Sequence, residues 1–230
     1  MTTPQLPLGL RAPPDQRLDA FEGNDAACSA VQAAAVGASG DWLYLAGPSG
    51  SGKTHLLLAA CAEAAAAGRR AAFLPLAAFA GRLGEALARQ EAADLLCLDG
   101  LEAIAGHAGD EEALFHFHNR AREDAGAVVY AARGNPADIG LQLRDLQTRL
   151  GQCVRLAIEP LDEAGRRRVL RQRADRRGLE LDDAVLDYLL RRVDRDLASL
   201  TRLLDQLDRA SLAAQRRITI PFLRQHLETP

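Results

Sequence analysis

The sequence predicts an α/β protein: a core with a five-stranded parallel sheet, followed by a small all-α lid domain. Short apolar segments alternate with helical segments up to Pro160, as they do in a parallel sheet covered by helices on both faces. After Pro160 the longer segments have helical patterns only. At 230 residues the chain is long enough for one such core and an appendage, but not for two large domains.

The predicted strands are short and apolar, and helical segments separate them. The strands are expected at Trp42–Ala46, Ala71–Leu76, Leu95–Asp99, Ala127–Ala131 and Val154–Ile158. The core helices are expected at Asp25–Val36, Thr54–Ala67, near Phe79–Gln90, at Glu111–Asp124 and at Leu143–Leu150. The later helices are expected at Leu161–Arg177, Asp183–Arg192, Asp196–Gln215 and Pro221–His226. The predicted domains are therefore a proline-containing, flexible arm at 1–16, a core at 17–160 and a helical lid at 161–230.

Charge and cysteine content narrow the class of protein. A net charge of −3 argues against a strong non-specific grip on DNA, so DNA contact is expected to be indirect or weak. The lid is mildly basic, which indicates either a solvated helical face or a contact with nucleic acid. The four cysteines are scattered without CxxC spacing, which favours core packing in a reducing compartment. With no secretion signal and no apolar run long enough to span a bilayer, we expect a cytoplasmic protein that does not bind membranes.

A glycine-rich loop lies between the first predicted strand and the helix that follows it. The residues Gly47-Pro48-Ser49-Gly50-Ser51-Gly52-Lys53-Thr54 match the phosphate-binding pattern G-x-x-x-x-G-K-[ST] in its proper strand–loop–helix context. Backbone amides and the helix N-terminus then face the phosphates of ADP or ATP, and Lys53 contacts the β- and γ-phosphates. Of the 28 basic residues Lys53 is the only lysine, and a compact ammonium is what this position requires. His55 completes the predicted cofactor-binding residues of this segment.

The third predicted strand ends in an acid suited to a metal ion. Asp99 fits the Walker B aspartate, and together with the Thr54 hydroxyl it is the predicted anchor for nucleotide-bound Mg²⁺. Many P-loop ATPases place a second acid directly after that aspartate, where it orients the attacking water. Here that position is Gly100, and Glu102 lies two residues further on. We therefore expect slow or absent intrinsic hydrolysis.

At this point the chain resembles the AAA+ superfamily and, within it, the DnaA-like group. The segment Leu143–Leu150 resembles the group's arginine-finger box, which implies that Arg149 acts in a neighbouring subunit's site. The segment Asp194–Leu197 resembles the lid motif, which implies that Arg195 is the sensor-2 arginine facing the chain's own nucleotide. The sensor-1 position is left open between Arg133 and Asn135.

The N-terminal arm resembles a peptide that binds the DNA polymerase III beta sliding clamp. Such peptides insert a glutamine and alternating leucines into an apolar pocket, and Gln5, Leu6, Leu8 and Leu10 have that pattern. A DnaA initiator is expected to continue past the lid into a helix-turn-helix domain, for which this sequence has no residues.

The resemblance implies a negative regulator of replication initiation that binds a nucleotide, docks on the clamp and stimulates ATP hydrolysis by DnaA. Self-association of the chain is a further expectation. The first alternative is a stand-alone AAA+ ATPase such as a helicase loader, which would turn over ATP without DnaA. The second is a small-molecule P-loop kinase, which the helical lid and the clamp-like peptide fit poorly.

Overall fold

The computed structural model describes residues 17–90, 92–123, 126–192, 197–214 and 217–227. These residues form two compact units. One contains 17–21, 26–46 and 53–157, and the other contains 22–25, 47–52 and the helices from residue 158 onwards.

The first unit is built on a parallel sheet. Its strands are β1 (Leu43–Ala46), β2 (Ala71–Pro75), β3 (Leu95–Asp99), β4 (Ala127–Ala132) and β5 (Val154–Ala157). Their order across the sheet is β2-β3-β4-β1-β5, and every pairing is parallel. All six residues of the central strand β4 are buried, which explains why it reads as a continuous apolar run. The predicted five-stranded parallel sheet is confirmed.

Five helices accompany the sheet in the described part of this unit. They are α1 (Asp25–Val36), α2 (Lys53–Ala66), α3 (Leu83–Ala88), α4 (Ala108–Ala121) and α5 (Arg144–Gly151). The third helix is shorter than the segment predicted near Phe79–Gln90, because Gly81 has a φ of +82° and interrupts the chain before it. The fourth begins three residues before the predicted Glu111, with two acids in its first turn.

The second unit contains α6 (Glu163–Arg176), α7 (Asp183–Arg192), α8 (Leu197–Ala214) and α9 (Ile220–Leu227). Its interior is apolar and includes Leu170, Leu186, Leu200, Leu204, Leu207 and Leu223. The predicted all-α lid domain is confirmed, and Ile218 and Thr219 lead directly into α9.

Two arginines of α6, and Arg177 directly after it, form ion pairs with carboxylates of the helices that follow. Arg167 pairs with Asp183 at 2.8 Å and also with Asp187. Arg171 shares Asp183, and Arg177 pairs with Asp205. Hydrogen bonds from Arg167 and Arg171 lower the pKa of the Asp183 carboxyl. The positive charges of these three arginines are therefore balanced within the lid, which weakens the case for a DNA contact through them.

Two further expectations concern burial and membranes. Cys97 lies in β3 and Cys153 directly before β5, and both side chains are buried as core residues. Within the described residues, no helix is long and apolar enough to cross a membrane.

Candidate nucleotide site

The carboxyl ends of three neighbouring strands converge at one edge of the sheet. Asp99, the last residue of β3, is in register with Ala131 of β4. Ala46, the last residue of β1, is in register with Ala132, so Arg133 immediately follows the shared end of the two strands. We call this the carboxyl edge; it is where open α/β sheets bind their ligands.

The glycine-rich loop leaves β1 at this edge and runs into α2. A Cβ on Gly47 would lie 2.3 Å from the Ile158 carbonyl oxygen, so a side chain cannot be accommodated there. Gly50 and Gly52 have φ values of +78° and +98°, and the amide of Ser51 donates to the Pro48 carbonyl at 3.3 Å. Because glycine has no side chain, a compact turn with glycines at these positions lets a phosphate approach the backbone amides closely.

Lys53 is the first residue of α2 and is only 8% exposed. Burial lowers the pKa of its ammonium, and the positive charge of Arg133 lowers it further, while Glu102 and Asp99 act in the opposite direction. A buried cation among charged groups at a helix N-terminus fits a phosphate ligand, since anions bind where helix amides are free.

The two predicted metal anchors lie in direct contact. The Thr54 hydroxyl donates to Asp99 Oδ2 at 2.6 Å. Burial raises the pKa of Asp99, while the hydrogen bond from Thr54 and the charge of Lys53 partly offset that rise. One hard cation could therefore be held by both oxygens together with phosphate oxygens, which is how nucleotide-bound Mg²⁺ is coordinated. Within the described residues no group of three or more His, Cys, Asp or Glu side chains could hold a metal ion.

The residues after Asp99 form a structure that sequence reasoning did not foresee. Gly100 has a φ of +82°, which an L-residue with a side chain rarely adopts, and the turn Leu101–Ala103 follows. In that turn, Glu102 Oε1 pairs with Arg133 Nε at 3.0 Å, and Glu102 Oε2 accepts from the Arg133 amide at 3.2 Å. Glu102 is thus held by Arg133 at the carboxyl edge.

The alternative sensor-1 residue, Asn135, is engaged elsewhere. Its Nδ2 donates to Asp138 Oδ2 at 2.8 Å, and its Oδ1 accepts from Arg155 Nη1 at 3.4 Å. Of the two candidates, Arg133 is the one whose charge acts on Lys53. Only the position of Arg133, two residues after the end of the predicted strand Ala127–Ala131, could have indicated this from the sequence.

His55 turns toward the segment that precedes α1. Its Nε2 donates to the Arg17 carbonyl oxygen at 2.9 Å, and its ring packs edge-on against Phe21 with centroids 5.4 Å apart. Its assignment to the nucleotide stays a prediction.

The arginine-finger candidate lies near the opposite edge of the sheet, which we call the amino edge. Leu146 and Leu150 of α5 are buried, whereas Arg149 is exposed and forms no ion pair with another described residue. The Arg149 carbonyl accepts from Cys153 Sγ at 4.0 Å. The next residue, Val154, donates its amide to Trp42, just before β1, at 2.8 Å. The last turn of α5 is therefore close to where β1 and β5 begin.

Several predicted site residues lie outside the described residues. These are Arg195, assigned to sensor 2, and Gln5, Leu6, Leu8 and Leu10 of the clamp-binding peptide.

Comparison with known proteins agrees with this architecture. The family of the bacterial DnaA ATPase domain matches residues 20–157, and the lid domain of Hda matches residues 162–227. Domain III of the Thermotoga maritima initiation protein DnaA superposes with a TM-score of 0.80 at 20% identity, over 95% of this chain and 99% of that one. AMPPCP-bound DnaA from Aquifex aeolicus is 26% identical, with a TM-score of 0.71 over 85% of this chain and 65% of that one. A DnaA bound to AMPPCP and single-stranded DNA is 27% identical, with a TM-score of 0.69 over 87% and 69%.

Fold and phosphate site together define an AAA+ nucleotide-binding protein. More specifically, the chain belongs to the bacterial DnaA ATPase-domain family, and its residues 162–227 match the lid domain of Hda. These matches fit a DnaA-related regulator.

Proposed function

We propose that this chain is a negative regulator of replication initiation. It holds ADP or ATP with Mg²⁺ at its carboxyl edge, docks on the DNA polymerase III beta sliding clamp, and supplies Arg149 to the ATP site of DnaA. Membership of the DnaA family supports DnaA as the partner, and the AMPPCP bound by two related DnaA structures supports an adenine nucleotide.

The observation that carries the proposal is the separation of Arg149 from the nucleotide residues. Lys53, Thr54 and Asp99 lie at the carboxyl edge, whereas the last turn of α5 lies near the amino edge. Strands of four to six residues separate the edges by roughly 13–20 Å, at about 3.3 Å per residue. An exposed arginine at that distance is better placed to act on a second subunit than on its own nucleotide.

The carboxyl edge is suited to holding a nucleotide rather than to cleaving it quickly. Lys53 binds phosphate oxygens, and Thr54 and Asp99 orient the metal, which when bound neutralises phosphate charge. Gly100 has no carboxylate to orient a water molecule, and the carboxylate of Glu102 is engaged by Arg133. In this proposal the nucleotide sets the conformation of this chain, while the ATP hydrolysis that regulates replication initiation takes place on DnaA.

The finger is tested by comparing two exposed arginines of the same helix. Arg149→Ala should retain ADP binding but reduce the stimulated rate of DnaA ATP hydrolysis, on the order of 10³-fold if the finger stabilises transition-state charge. Arg144→Ala, five residues earlier in α5, is the matched control and should stimulate like the wild type. Unchanged stimulation by Arg149→Ala would exclude the finger.

Clamp docking is tested separately, in a pull-down with the purified clamp. The double variant Gln5→Ala/Leu6→Ala should lose retention, because it removes the glutamine and one leucine of the proposed extended peptide. Equal retention of variant and wild type would show that docking occurs elsewhere on the chain. In this proposal the chain contacts DNA only indirectly, through the clamp that encircles it.

A further inference from the structure

Two adjacent acids in the first turn of α4 are almost completely buried. Asp110 is 4% exposed and Glu111 is 1% exposed. Buried carboxylates are costly unless hydrogen bonds compensate them, so each should have a structural or functional reason to be there. Neither residue belongs to the carboxyl edge described above.

The two carboxylates bind different segments of backbone. Asp110 accepts from the amides of Gly81 at 2.5 Å and Leu83 at 2.9 Å, which fixes the start of α3. Glu111 accepts from Gly106 at 2.7 Å, Gln142 at 2.8 Å and Leu143 at 2.7 Å. Asp110 is therefore a matched reference for Glu111. Both are nearly completely buried acids of α4, but Asp110 is hydrogen-bonded to the start of α3.

The partners of Glu111 lead directly into the helix that carries Arg149. Leu143 is the N-cap of α5, and its apolar side chain makes no capping hydrogen bond. Its carbonyl accepts from the Gln147 amide at 3.1 Å. Glu111 thus supplies from α4 the acceptor that holds the entry to α5. Arg149 follows six residues later, about 9 Å along the helix at about 1.5 Å per residue.

The third partner connects this anchor to the carboxyl edge. Gly106 lies in the chain that follows Asp99 and the turn containing Glu102. A Cβ on Gly106 would lie 3.7 Å from Gln142 Nε2, so the Gln142 side chain lies close to the Gly106 backbone, and the amides of both residues donate to the same carboxylate. Glu111 is consequently a bridge between the segment that leaves the nucleotide residues and the start of α5.

We infer that Glu111 is a positioning residue for Arg149: its carboxylate fixes α5 relative to the segment that follows Asp99, so that the exposed guanidinium meets a partner's phosphates in a defined orientation. This inference rests on the proposed function of Arg149. A displacement of about 1 Å in a catalytic group can reduce a rate by about 100-fold. The loss should therefore be seen in the maximal rate of the partner's hydrolysis rather than in this chain's nucleotide affinity.

The test compares Glu111→Gln with Asp110→Asn in the full chain. Glutamine keeps one acceptor oxygen but turns an NH₂ donor toward backbone donors, so at least one of the three bonds is lost. Amide hydrogen exchange should accelerate at Gly106, Gln142 and Leu143 in Glu111→Gln, and at Gly81 and Leu83 in Asp110→Asn. At saturating concentrations, Glu111→Gln should lower the maximal DnaA hydrolysis rate by about 10- to 100-fold. Asp110→Asn should stay within about twofold of the wild type, since it moves α3 only.

A second variant removes the same bond from the other side. Leu143 has a φ of −77°, which proline can adopt, so Leu143→Pro deletes a donor to Glu111 without altering the buried charge. It should lower the maximal rate in the same direction and leave ADP affinity unchanged. This variant decides the question if Glu111→Gln does not fold.

The outcomes separate the two proposals. Equal effects of Glu111→Gln and Asp110→Asn, or full stimulation by the variants at Glu111 and Leu143, would overturn the positioning role while Arg149→Ala still abolishes stimulation. Full stimulation by Arg149→Ala would instead show that the finger itself is wrong. Loss of ADP affinity in Glu111→Gln would also overturn the positioning role, because the residue would then act through the nucleotide site.

Discussion

The carboxyl and amino edges of one parallel sheet are built in contrasting ways. At the carboxyl edge, polar and charged side chains converge and bind one another: Thr54 with Asp99, and Glu102 with Arg133. At the amino edge, an aromatic cluster fills the interior: the Trp42 ring packs edge-on against His118, which is hydrogen-bonded to the Tyr130 hydroxyl at 3.0 Å. The first edge is suited to binding phosphate, while the second packs aromatic rings close to where β1 begins.

The contrast indicates a division of labour that a single active site would not need. In the proposed function, the carboxyl edge binds this chain's own nucleotide and the amino edge presents Arg149 to a partner. Changes at one edge should therefore leave the function of the other intact.

The first prediction removes the only lysine. Lys53→Ala should weaken ADP binding by at least about 100-fold, about 3 kcal/mol, because a buried cation that pairs with phosphate is lost. Arg70→Ala is the control; its exposed ion pair with Asp94 lies where β2 and β3 begin. Calorimetric titration with ADP checks both variants. Comparable losses in the two would contradict the assignment of the phosphate site to the carboxyl edge.

The second prediction concerns the pH dependence of the amino edge. Burial, together with the positive charges of Arg122 and Arg149, lowers the pKa of His118 to about 4. Because this folded-state pKa lies below the usual value near 6.5, the unfolded chain takes up the proton first as the pH falls. The contribution of the neutral imidazole to the free energy of unfolding is therefore complete above about pH 6.5. It decreases progressively toward pH 4, by about 1.4 kcal/mol per pH unit.

Urea unfolding at pH 7 and pH 5 measures this effect. His118→Gln should flatten the pH dependence between those values, whereas His116→Gln, at an exposed position two residues away, should not. If both variants keep the wild-type change in the free energy of unfolding between pH 7 and pH 5, the neutral form of His118 does not stabilise the amino edge.

The third and smallest effect concerns the choice between ADP and ATP. Glu102→Gln leaves the guanidinium of Arg133 unpaired near Lys53, which should favour the nucleotide with the additional phosphate by about fivefold, about 1 kcal/mol. Arg133→Ala should shift the ratio of ATP to ADP affinity in the opposite direction. Arg155→Ala, which removes an exposed arginine of β5, should leave the ratio unchanged. A ratio that does not change in either variant would mean that the Glu102–Arg133 pair does not face the phosphates.

The sequence predicted this fold well because its strands are short, apolar and separated by helices. The segments Asp25–Val36, Leu95–Asp99 and Asp183–Arg192 have the predicted bounds. The beginning of α3 differed, because the turn at Gly81 and the anchor at Asp110 are tertiary features without a periodic signal.

The candidate site was predictable where a residue belongs to a contiguous motif or ends a recognisable strand. The loop and Lys53 form one contiguous motif, and Asp99 ends a recognisable strand. By contrast, Glu102 and Arg133 are 31 positions apart, as are Glu111 and Gln142, and nothing in their spacing indicates contact. The sheet register brings such pairs together, and register was not available from the sequence.

The central claim, that this chain holds one nucleotide while another is cleaved on DnaA, can be tested by following both. In the first arm, DnaA is loaded with γ-labelled ATP and this chain with unlabelled ADP, and the two are mixed with the clamp on DNA. In the second arm, this chain is loaded with γ-labelled ATP and DnaA with unlabelled ADP. We predict rapid phosphate release only when the label is on DnaA, and loss of that release with Arg149→Ala. Equally rapid release when the label is on this chain, independent of DnaA, would contradict the account.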